Sequence, residues 1–595
     1  MNQQEIKDMA KYFYRASAAD FMKIPGSPVA YWLPATGGGI FEISKSIGGV
    51  SSPRQGMATT SDEKFLRLWF EVNVDKVSFK SPSNEQAKDS RKKWFPFLKG
   101  GDFRKWYGNN QYLVNFENNG EEVCAYIDNT PGARVKSNGR VINRAFYFKK
   151  ALTWTLISST STAFRFCSEG FVLGHKGPAI YGDDRSLDKI GAYLNSKVSP
   201  YYLKVLAPTI GFEVGQISKL PFIDIDVTSE RAVEIAREDW DSYELSWDFG
   251  CNELIILKVN KDLISGSYFR AKEKWKSLTN ELRNFEEKNN DKIIPAYGLE
   301  SELDSDVPIG EVTLSRNPYY QFGAHKSVEE LDALFQSDAI AELISYGIGC
   351  MMGRYSLDKF GLILASQGET LQDYLALTPS PSFAPDENAI LPLSDQEWFL
   401  DDVTNRFSEF IRTVWGAENL QENLDFVAES LCLQAVKAKS GESALDTIRR
   451  YLSTQFYKDH LRTYKKRPIY WLFSSGKHKA FECLVYLHRY NESTLARMRT
   501  EYVIPLSAKL NTYADKLEQD IDASTSTAET KRLEKEVATL HKQQIELAEF
   551  DEKLRHYADQ RISLNLDDGV KINYGKFGNL LAETKAVTGN KEALL

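Results

Sequence analysis

The chain has 595 residues, with 74 Lys and Arg against 82 Asp and Glu, which gives a formal net charge of −8. This length suits three or four domains. The six cysteines contain no Cys-x-x-Cys pair and the seven histidines are scattered, which argues against a zinc site or a disulfide framework and favours reduced thiols in a cytosol. The first residues lack an apolar signal segment. The longest apolar stretch, 339–353, is too short to span a membrane and contains Glu342, so we expect a cytoplasmic protein without membrane contact.

The first 225 residues predict a connector followed by a mixed α/β domain. Residues 1–49 read as a helix and a connector rich in Pro and Gly, which includes the run Gly37-Gly38-Gly39. Residues 50–225 contain short apolar runs that begin at Phe65, Gln111, Val123 and Trp154, separated by Asn-Gly and Pro-Gly turns. Such runs predict strands and hairpins. A helical pattern then ends at Pro208.

The rest of the chain predicts helices. Residues 226–330 carry apolar positions at a spacing of three and four among many charges, which predicts a helical spacer. Residues 331–595 are predicted as a large, mainly helical C-terminal domain, with a loop near 377–395 and a helical hairpin at about 507–560. The predicted fold is therefore α+β and multidomain, with the mixed α/β domain first, the spacer second and the helical domain last.

Positive charge is concentrated in two windows of this acidic chain. Residues 88–150 hold 13 Lys and Arg against 6 Asp and Glu, and residues 458–499 hold 10 against 3. Each window is therefore +7, and the remaining residues sum to −22. Clustered Lys and Arg attract a duplex through phosphate neutralisation. Two solvated basic faces are an equally good interpretation of the charge alone.

The sequence carries none of the common catalytic motifs. An adenine methyltransferase needs Asn, Asp or Ser before Pro-Pro and an aromatic residue, which hold the amine of a flipped base. The chain has no Pro-Pro dipeptide, and the nearest string, 317–320 (Asn-Pro-Tyr-Tyr), predicts a turn. The sequence also lacks a Walker motif, His-Glu-x-x-His and Gly-x-Ser-x-Gly. We therefore expect no catalytic, cofactor-binding or metal-binding residues in this chain, and no methyl transfer by it alone.

Long strings of the sequence resemble a known family. They are FMKIPGSPVAYW at Phe21, RQGMATTSDEKFLRLWFEV at Arg54, GGDFRKWYGNNQYLVNFENNG at Gly100, FYFKKALTWTLISS at Phe146, YLNSKVSPYYLKVLAPTIGFEVGQISKLPF at Tyr193, YKKRPIYWLFSSGKHKAFECLVYLHRYN at Tyr464 and LDDGVKINYGKFG at Leu566. In these the chain is similar to the C-terminal half of the PglX-type adenine-specific DNA methyltransferases of BREX phage-defence systems. The middle strings also resemble the recognition regions of type I specificity subunits and fused restriction-modification enzymes, in which an Ile-x-x-Leu-Pro element, here 217–221, closes the domain.

The resemblance implies that residues 50–225 recognise target DNA and that residues 1–49 lead from a methyltransferase half. It implies double-stranded DNA as a partner, and a methyltransferase half or subunit that binds S-adenosylmethionine. Other BREX defence proteins are further candidate partners. The competing interpretation, an interaction scaffold of the defence complex with incidental DNA contact, stays open.

The candidate DNA-binding residues share a basic or amide side chain in a predicted loop or turn. They are Arg54, Gln55, Arg91, Lys92, Lys93, Arg104, Lys105, Arg134, Lys136, Arg140, Arg144, Lys465, Lys466, Arg467, Lys477 and Lys479. Arg104 and Lys105 are expected to point outward from a hairpin whose aromatic residues point inward. The distal cluster, Lys465 to Lys479, is expected to flank a buried element and to contact either DNA or another protein.

Overall fold

The protein is described by a computed structural model, which covers residues 17–33, 35–132, 134–158, 162–260 and 262–589. It is 52% helical with small sheets, which confirms a mixed α/β protein. The chain forms two compact units. The first unit comprises Met1–Arg67, Lys76–Asp241 and Lys274–Lys326, and the second comprises Leu68–Asp75, Ser242–Glu273 and Ser327–Leu595. The stretch predicted as a spacer contributes residues to both units.

The helices and strands follow in chain order. The helices are α1 Ala18–Met22, α2 Ala35–Ile43, α3 Ile47–Val50, α4 Asp62–Phe65, α5 Asn84–Asp89, α6 Glu117–Asn129, α7 Ser137–Arg140, α8 Asp184–Leu194, α9 Val198–Leu206, α10 Val214–Ser218, α11 Glu230–Asp241, α12 Glu253–Ile256, α13 Ile264–Ala296, α14 Pro318–Gln321, α15 Val328–Met351, α16 Leu371–Leu377, α17 Val403–Trp415, α18 Leu420–Gln434, α19 Ala444–Tyr451, α20 Tyr457–Thr463, α21 Thr494–Arg497, α22 Ile504–Ala523, α23 Thr527–Asp559, α24 Val570–Gly575 and α25 Thr584–Thr588. The strands are β1 Lys45–Ser46, β2 Ser52–Arg54, β3 Leu66–Leu68, β4 Trp94–Pro96, β5 Tyr112–Asn115, β6 Ala151–Trp154, β7 Phe164–Cys167, β8 Ala179–Tyr181, β9 Pro221–Phe222, β10 Ile390–Pro392, β11 Tyr470–Ser474 and β12 Glu482–Tyr486.

The first unit is built on short sheets. Strands β2, β8, β6 and β7 form an antiparallel sheet in that order, β3, β5 and β4 form a second, and β1 pairs with β9. Its main core packs Trp154 and Phe164 of the four-stranded sheet with Tyr193 and Tyr202 of helices α8 and α9. Tyr193 also stacks on Tyr297, with ring centroids 5.3 Å apart. Buried aromatic rings from strands and helices therefore fix the sheet on which the loops of the first unit are mounted.

Two local predictions for the first unit are wrong. The Gly37-Gly38-Gly39 run, predicted in a connector, lies inside helix α2, where a Cβ on Gly38 would lie 3.9 Å from the carbonyl oxygen of Asp20. The run at Val123, predicted as a strand, lies in helix α6. There Val123 and Ile127 are buried four residues apart, so the apolar residues have the period of a helix.

The second unit is mainly helical around a small sheet of order β10-β12-β11. Helix α15 contains most of the apolar stretch 339–353, and Ile340, Leu343 and Ile344 on it are fully buried. Within the described ranges, no helix combines the length and the hydropathy that crossing a membrane requires. Helices α22 and α23 pack on each other, with Leu533, Val537, Leu540, Leu547 and Leu554 buried.

Candidate nucleic-acid interface

Three loops of the first unit meet beside the four-stranded sheet, and we call them the loop face: residues 54–58, 140–144 and 174–177. Backbone hydrogen bonds join them: Met57 N–H donates to Leu173 O (2.8 Å), His175 N–H to Met57 O (2.9 Å), and Ala58 N–H to Arg140 O (2.9 Å). Side chains add two more. Asn143 Nδ2 donates to Gln55 O (2.8 Å), and Gln55 Nε2 donates to His175 O (3.3 Å). The structure therefore brings Arg54, the last residue of strand β2, and Gln55 close to Arg140, the last residue of helix α7, which is far from them in sequence.

Glycines allow this close approach of backbones. A Cβ on Gly174 would overlap the carbonyl oxygen of Leu98, and a Cβ on Gly56 would overlap that of Leu173. Gly100 has φ +84°, and a Cβ there would lie 3.0 Å from Lys176 O. Any larger residue at these positions must push the loops apart. The glycines thus place the turn at Lys99 directly beside the loop 174–177.

Arg165 lies buried behind this turn. It is 2% exposed, and its guanidinium donates to Arg104 O and to Thr155 Oγ1, both at 3.3 Å. The Thr155 hydroxyl donates in turn to Gly101 O (2.9 Å). Burial lowers the pKa of Arg165 to about 10, so it remains a cation at neutral pH. Its charge and its hydrogen bonds hold the Gly100-Gly101 turn in place.

Charged side chains of both signs surround His175 on the loop face. Burial, together with the charges of Arg140 and Lys176, lowers the pKa of His175, although Glu213 acts in the opposite direction. Arg140 and Lys176 are both exposed. Lys99 pairs with Asp62. Partial burial by itself would raise the pKa of the Asp62 carboxyl, but the hydrogen bonds from Lys99 and Thr59 outweigh burial and lower this pKa. The face therefore offers exposed cations beside a neutral imidazole and an amide, which are the groups that contact phosphates and base edges.

The outward orientation expected for Arg104 is wrong. Arg104 is 3% exposed and its Nη2 forms an ion pair with Asp239 Oδ2 at 2.6 Å. Its Nε also donates to Tyr107 O (2.7 Å). Lys105 is largely covered, and its ammonium donates to the buried Glu286 carboxylate at 2.7 Å, beside the Trp106 indole N–H at the same distance. The Arg104–Trp106 string therefore attaches its loop to helices α11 and α13.

The other predicted residues of the first unit are spread over several turns. Arg144 donates to Asn119 O (2.6 Å) and lies over the Phe116 ring, so it braces the loop from inside. The predicted basic residues 91–93 follow helix α5 on a different turn, where Arg91 is exposed and Lys92 and Lys93 are half-buried. Lys136, which is exposed like Arg134, donates to Asp128 O at 2.7 Å. Of these, the turn 134–140 runs directly into the loop face.

The distal cluster in the second unit consists of two parts, one before and one after strand β11. The strand is almost entirely buried, which confirms the prediction that the cluster flanks a buried element. Lys465 and Lys466 are exposed and both have positive φ, in the turn between helix α20 and the strand. Arg467 follows, 3.7 Å from Glu71. Beyond the strand, Lys477 is exposed, whereas Lys479 pairs with Glu482 at 2.9 Å. A five-residue strand is about 13 Å long from first to last residue, so the two parts are separate.

Asn317, the residue of the nearest methyltransferase-like string, is a buried cap. It is 0% exposed, its Nδ2 donates to Ile309 O (2.7 Å) and Val312 O (2.9 Å), and its Oδ1 accepts from Tyr319 N–H (3.2 Å). With both amide atoms used internally at the start of helix α14, Asn317 is not placed to hold a base. The string predicted as a turn forms the short helix α14, Pro318–Gln321, with Asn317 as its N-cap. No group of His, Cys, Asp and Glu suited to a metal occurs in the described part of the chain.

Sequence reasoning missed His175 and Lys176 as members of the loop face. Each carries or borders a positive charge, yet neither stands in a dense basic run. The available signal was the pair of glycines, Gly174 and Gly177, that encloses His175 and Lys176. Closely spaced glycines mark a place where backbones approach each other.

Comparison with known proteins gives two extended matches. The chain is 45% identical over 579 residues to the adenine-specific methyltransferase BrxX of Escherichia coli O9:H4 (strain HS), and the match covers 96% of this chain and 46% of that protein. It is 36% identical over 596 residues to the adenine-specific methyltransferase PglX of Lacticaseibacillus casei (strain Zhang), with coverage of 97% and 46%. The chain is related to these methyltransferases over almost its whole length. It spans about half the length of the curated relatives it matches. No protein-family model matches it.

Proposed function

We propose that this chain is the DNA target-recognition part of a BREX-type, site-specific adenine methyltransferase that marks self DNA in phage defence in the cytoplasm. The observation that carries the proposal is the loop face, on which Arg54, Gln55, Arg140, His175 and Lys176 stand on loops tied together by backbone hydrogen bonds. Both relatives are named adenine-specific methyltransferases, and this name supports adenine methylation as the reaction for which the face would bind DNA.

The side chains on the loop face divide by what they can contact. Arg140 and Lys176 are exposed cations, so they suit phosphates, which position the protein without reading sequence. Arg54 lies over the Phe146 ring, 5.1 Å from its centroid, and this contact orients the guanidinium. An oriented Arg pairs well with guanine, and an amide such as that of Gln55 pairs well with adenine. Arg54, Gln55 and His175 are therefore the proposed base-reading residues.

Several earlier candidates have other roles in this proposal. Arg104, Lys105 and Arg144 hold the loops and do not touch DNA, because their donors are taken up inside the protein. The turn residues Arg91 and Arg134 remain proposed phosphate contacts. S-adenosylmethionine binding and methyl transfer are assigned to the part of the relatives that this chain does not match.

The direct experiment measures duplex binding by the full chain as a function of salt. Each phosphate contact contributes about −0.9 to the slope of log affinity against log salt. The double variant Arg140→Glu, Lys176→Glu should lower the affinity and make the slope less negative by about 2. The matched control is Arg185→Glu, an exposed arginine in helix α8 of the same unit, which should change neither. Duplex binding that is absent or independent of salt would favour the scaffold interpretation.

A domain exchange tests sequence recognition itself. The chain is joined to the unmatched part of the E. coli relative, and residues 50–222 are replaced by those of a relative with a different target. The methylated motif should follow this exchange and should not follow an exchange of 331–595. Sequencing of methylated adenines identifies the motif in both hybrids. A motif that follows 331–595 would contradict the proposal.

A further inference from the structure

A cavity of about 360 Å³ lies in the first unit. Helix α9 contributes Leu203 and Lys204 to its wall, and the segment that follows this helix contributes Ile210 and Phe212. Thr162 lines it from the start of the run that leads into strand β7. The volume is at the lower end of the range for small-molecule pockets, about 300–1,000 Å³. The cavity therefore has room for one small organic ligand.

One segment of the chain connects this cavity with the loop face. Ser158 N–H donates to Ile210 O (3.0 Å), and both residues line the cavity. Two positions earlier on the same segment, Leu156 N–H donates to Lys176 O of the loop face (3.1 Å). Two residues of chain span at most about 7 Å, so the cavity borders the loop face.

Two polar groups of the cavity have no partner in the described part of the chain. Thr162 is 7% exposed, and its hydroxyl is buried without a hydrogen bond. Lys204 is exposed, and its ammonium forms neither a hydrogen bond nor an ion pair with the described residues. The described residues that line the cavity include no acid. Buried polar groups are as a rule hydrogen-bonded, so a buried hydroxyl without a partner on a cavity wall points to a ligand.

The chemistry of the walls suits a nucleotide better than a purely apolar occupant. An acyl chain or an apolar side chain would fill the cavity but would leave the Thr162 hydroxyl without a hydrogen bond. A nucleobase has an apolar face that can pack on Leu203 and Phe212, and it has nitrogen and oxygen atoms at its edge that can bond the hydroxyl. A phosphate attached to that nucleoside suits the ammonium of Lys204.

We propose that this cavity binds one mononucleotide, with its base against Leu203 and Phe212, a hydrogen bond to Thr162 and its phosphate on Lys204. The choice of a nucleotide rests on the proposed function, because the cavity borders the face that would contact DNA. The same chemistry has two sources. A nucleotide of the bound strand can leave the base stack and enter the cavity, or a free nucleotide can bind there.

The test titrates the full chain, without DNA, with each of the four deoxynucleoside 5′-monophosphates by calorimetry. Thr162→Val removes the hydroxyl, breaks no bond within the described protein and should weaken binding about three- to tenfold. Lys204→Gln should weaken binding of the monophosphates but not of the deoxynucleosides, which lack the phosphate. The matched control is Lys288→Gln, at an exposed lysine of helix α13 that does not line the cavity, and it should change neither.

Two results would overturn the proposal. One is the absence of binding by all four monophosphates at millimolar concentration, and the other is binding that neither Thr162→Val nor Lys204→Gln weakens. Both are measured without DNA, so they leave the proposed function untouched. Conversely, monophosphate binding by a chain that does not bind a duplex would contradict the proposed function and leave this site in place.

A third variant distinguishes the two sources of the nucleotide. Thr209 is exposed and lines the cavity, so Thr209→Trp fills it from outside and should abolish monophosphate binding. If the nucleotide comes from the DNA strand, Thr209→Trp should also lower duplex affinity about tenfold, and the monophosphate should compete with the duplex. If the nucleotide is free, the duplex and the monophosphate should bind together, and Thr209→Trp should leave duplex affinity unchanged. Either result supports the site.

Discussion

Replacing Arg104 by Ala should destabilise the first unit instead of removing a contact to DNA. The guanidinium donates to Tyr107 O at 2.7 Å, to Ser315 Oγ at 2.8 Å and to Asp239 Oδ2 at 2.6 Å. The substitution removes all of these donors at once. It also removes the Arg104 guanidinium from the Asp239 side chain, which is 2% exposed.

The expected cost follows from the loss of one partner of this buried ion pair. Removing one partner of a buried ion pair costs about 3–5 kcal/mol. Asp239 keeps the backbone N–H groups of Ser315 (2.8 Å) and Arg316 (2.7 Å), so we expect the lower end, about 3 kcal/mol. By contrast, Arg140 is exposed, and Arg140→Ala should cost less than about 0.5 kcal/mol while weakening DNA binding.

Amide hydrogen exchange is the assay, because it reports stability at the loop itself. The amides of Trp106 and Phe166 are bonded to Phe164 O (2.9 Å) and Trp106 O (2.7 Å). A loss of about 3 kcal/mol should accelerate their exchange by roughly 150-fold in Arg104→Ala and should leave Arg140→Ala near the wild-type rate. The reasoning is refuted if Arg104→Ala retains its protection and loses sequence-specific DNA binding.

Three further outcomes are expected. Burial lowers the pKa of both His460 and His488 to about 3, against 6.5 in the unfolded chain, so stability is full above pH 6.5 and is lost as the pH falls. Each histidine should cost about 2 kcal/mol at pH 5 in urea titrations, and His460→Gln should flatten this dependence. Arg140→Ala should raise the pKa of His175, which proton NMR titration measures, because Arg140 is one of the charges that lower it. Gly174→Ala should lower the melting temperature by several degrees, since its Cβ would overlap Leu98 O, whereas Gly215→Ala has open space and should not.

Much of the fold follows from local patterns in the sequence. The run at Gln111 forms strand β5, and the charged stretch 226–330 contains helices α11 and α13. In each, the spacing of apolar residues in the sequence has the period of the element that forms. The run at Val123 was ambiguous, since five consecutive residues with few polar ones fit a strand or a buried helix face. The helix forms there because Val123 and Ile127 pack inward together.

The loop face was predictable only in part, for a physical reason. Arg54 and Arg140 were identified by residue type, but their neighbourhood depends on backbone hydrogen bonds between residues more than 80 positions apart. Charge density misled the interpretation of Arg104 and Lys105, because their partners Asp239 and Glu286 lie in helices more than 130 residues away. A basic string in a sequence does not show whether its counter-ions are phosphates or carboxylates of the same chain.

Carboxylates of the same chain also lie close to the distal basic window. The Glu546 carboxylate accepts from Ser475 Oγ (2.7 Å) and from the backbone N–H of His478 (2.7 Å), so it fixes the turn that carries Lys477 and Lys479. Lys479 also pairs with Glu482. Carboxylates therefore reduce the positive field at this end of strand β11, whereas Lys465 and Lys466 are exposed at its other end. A phosphate backbone needs several cations along one path, so we expect Lys465 and Lys466 to contribute more to duplex binding than Lys477 and Lys479.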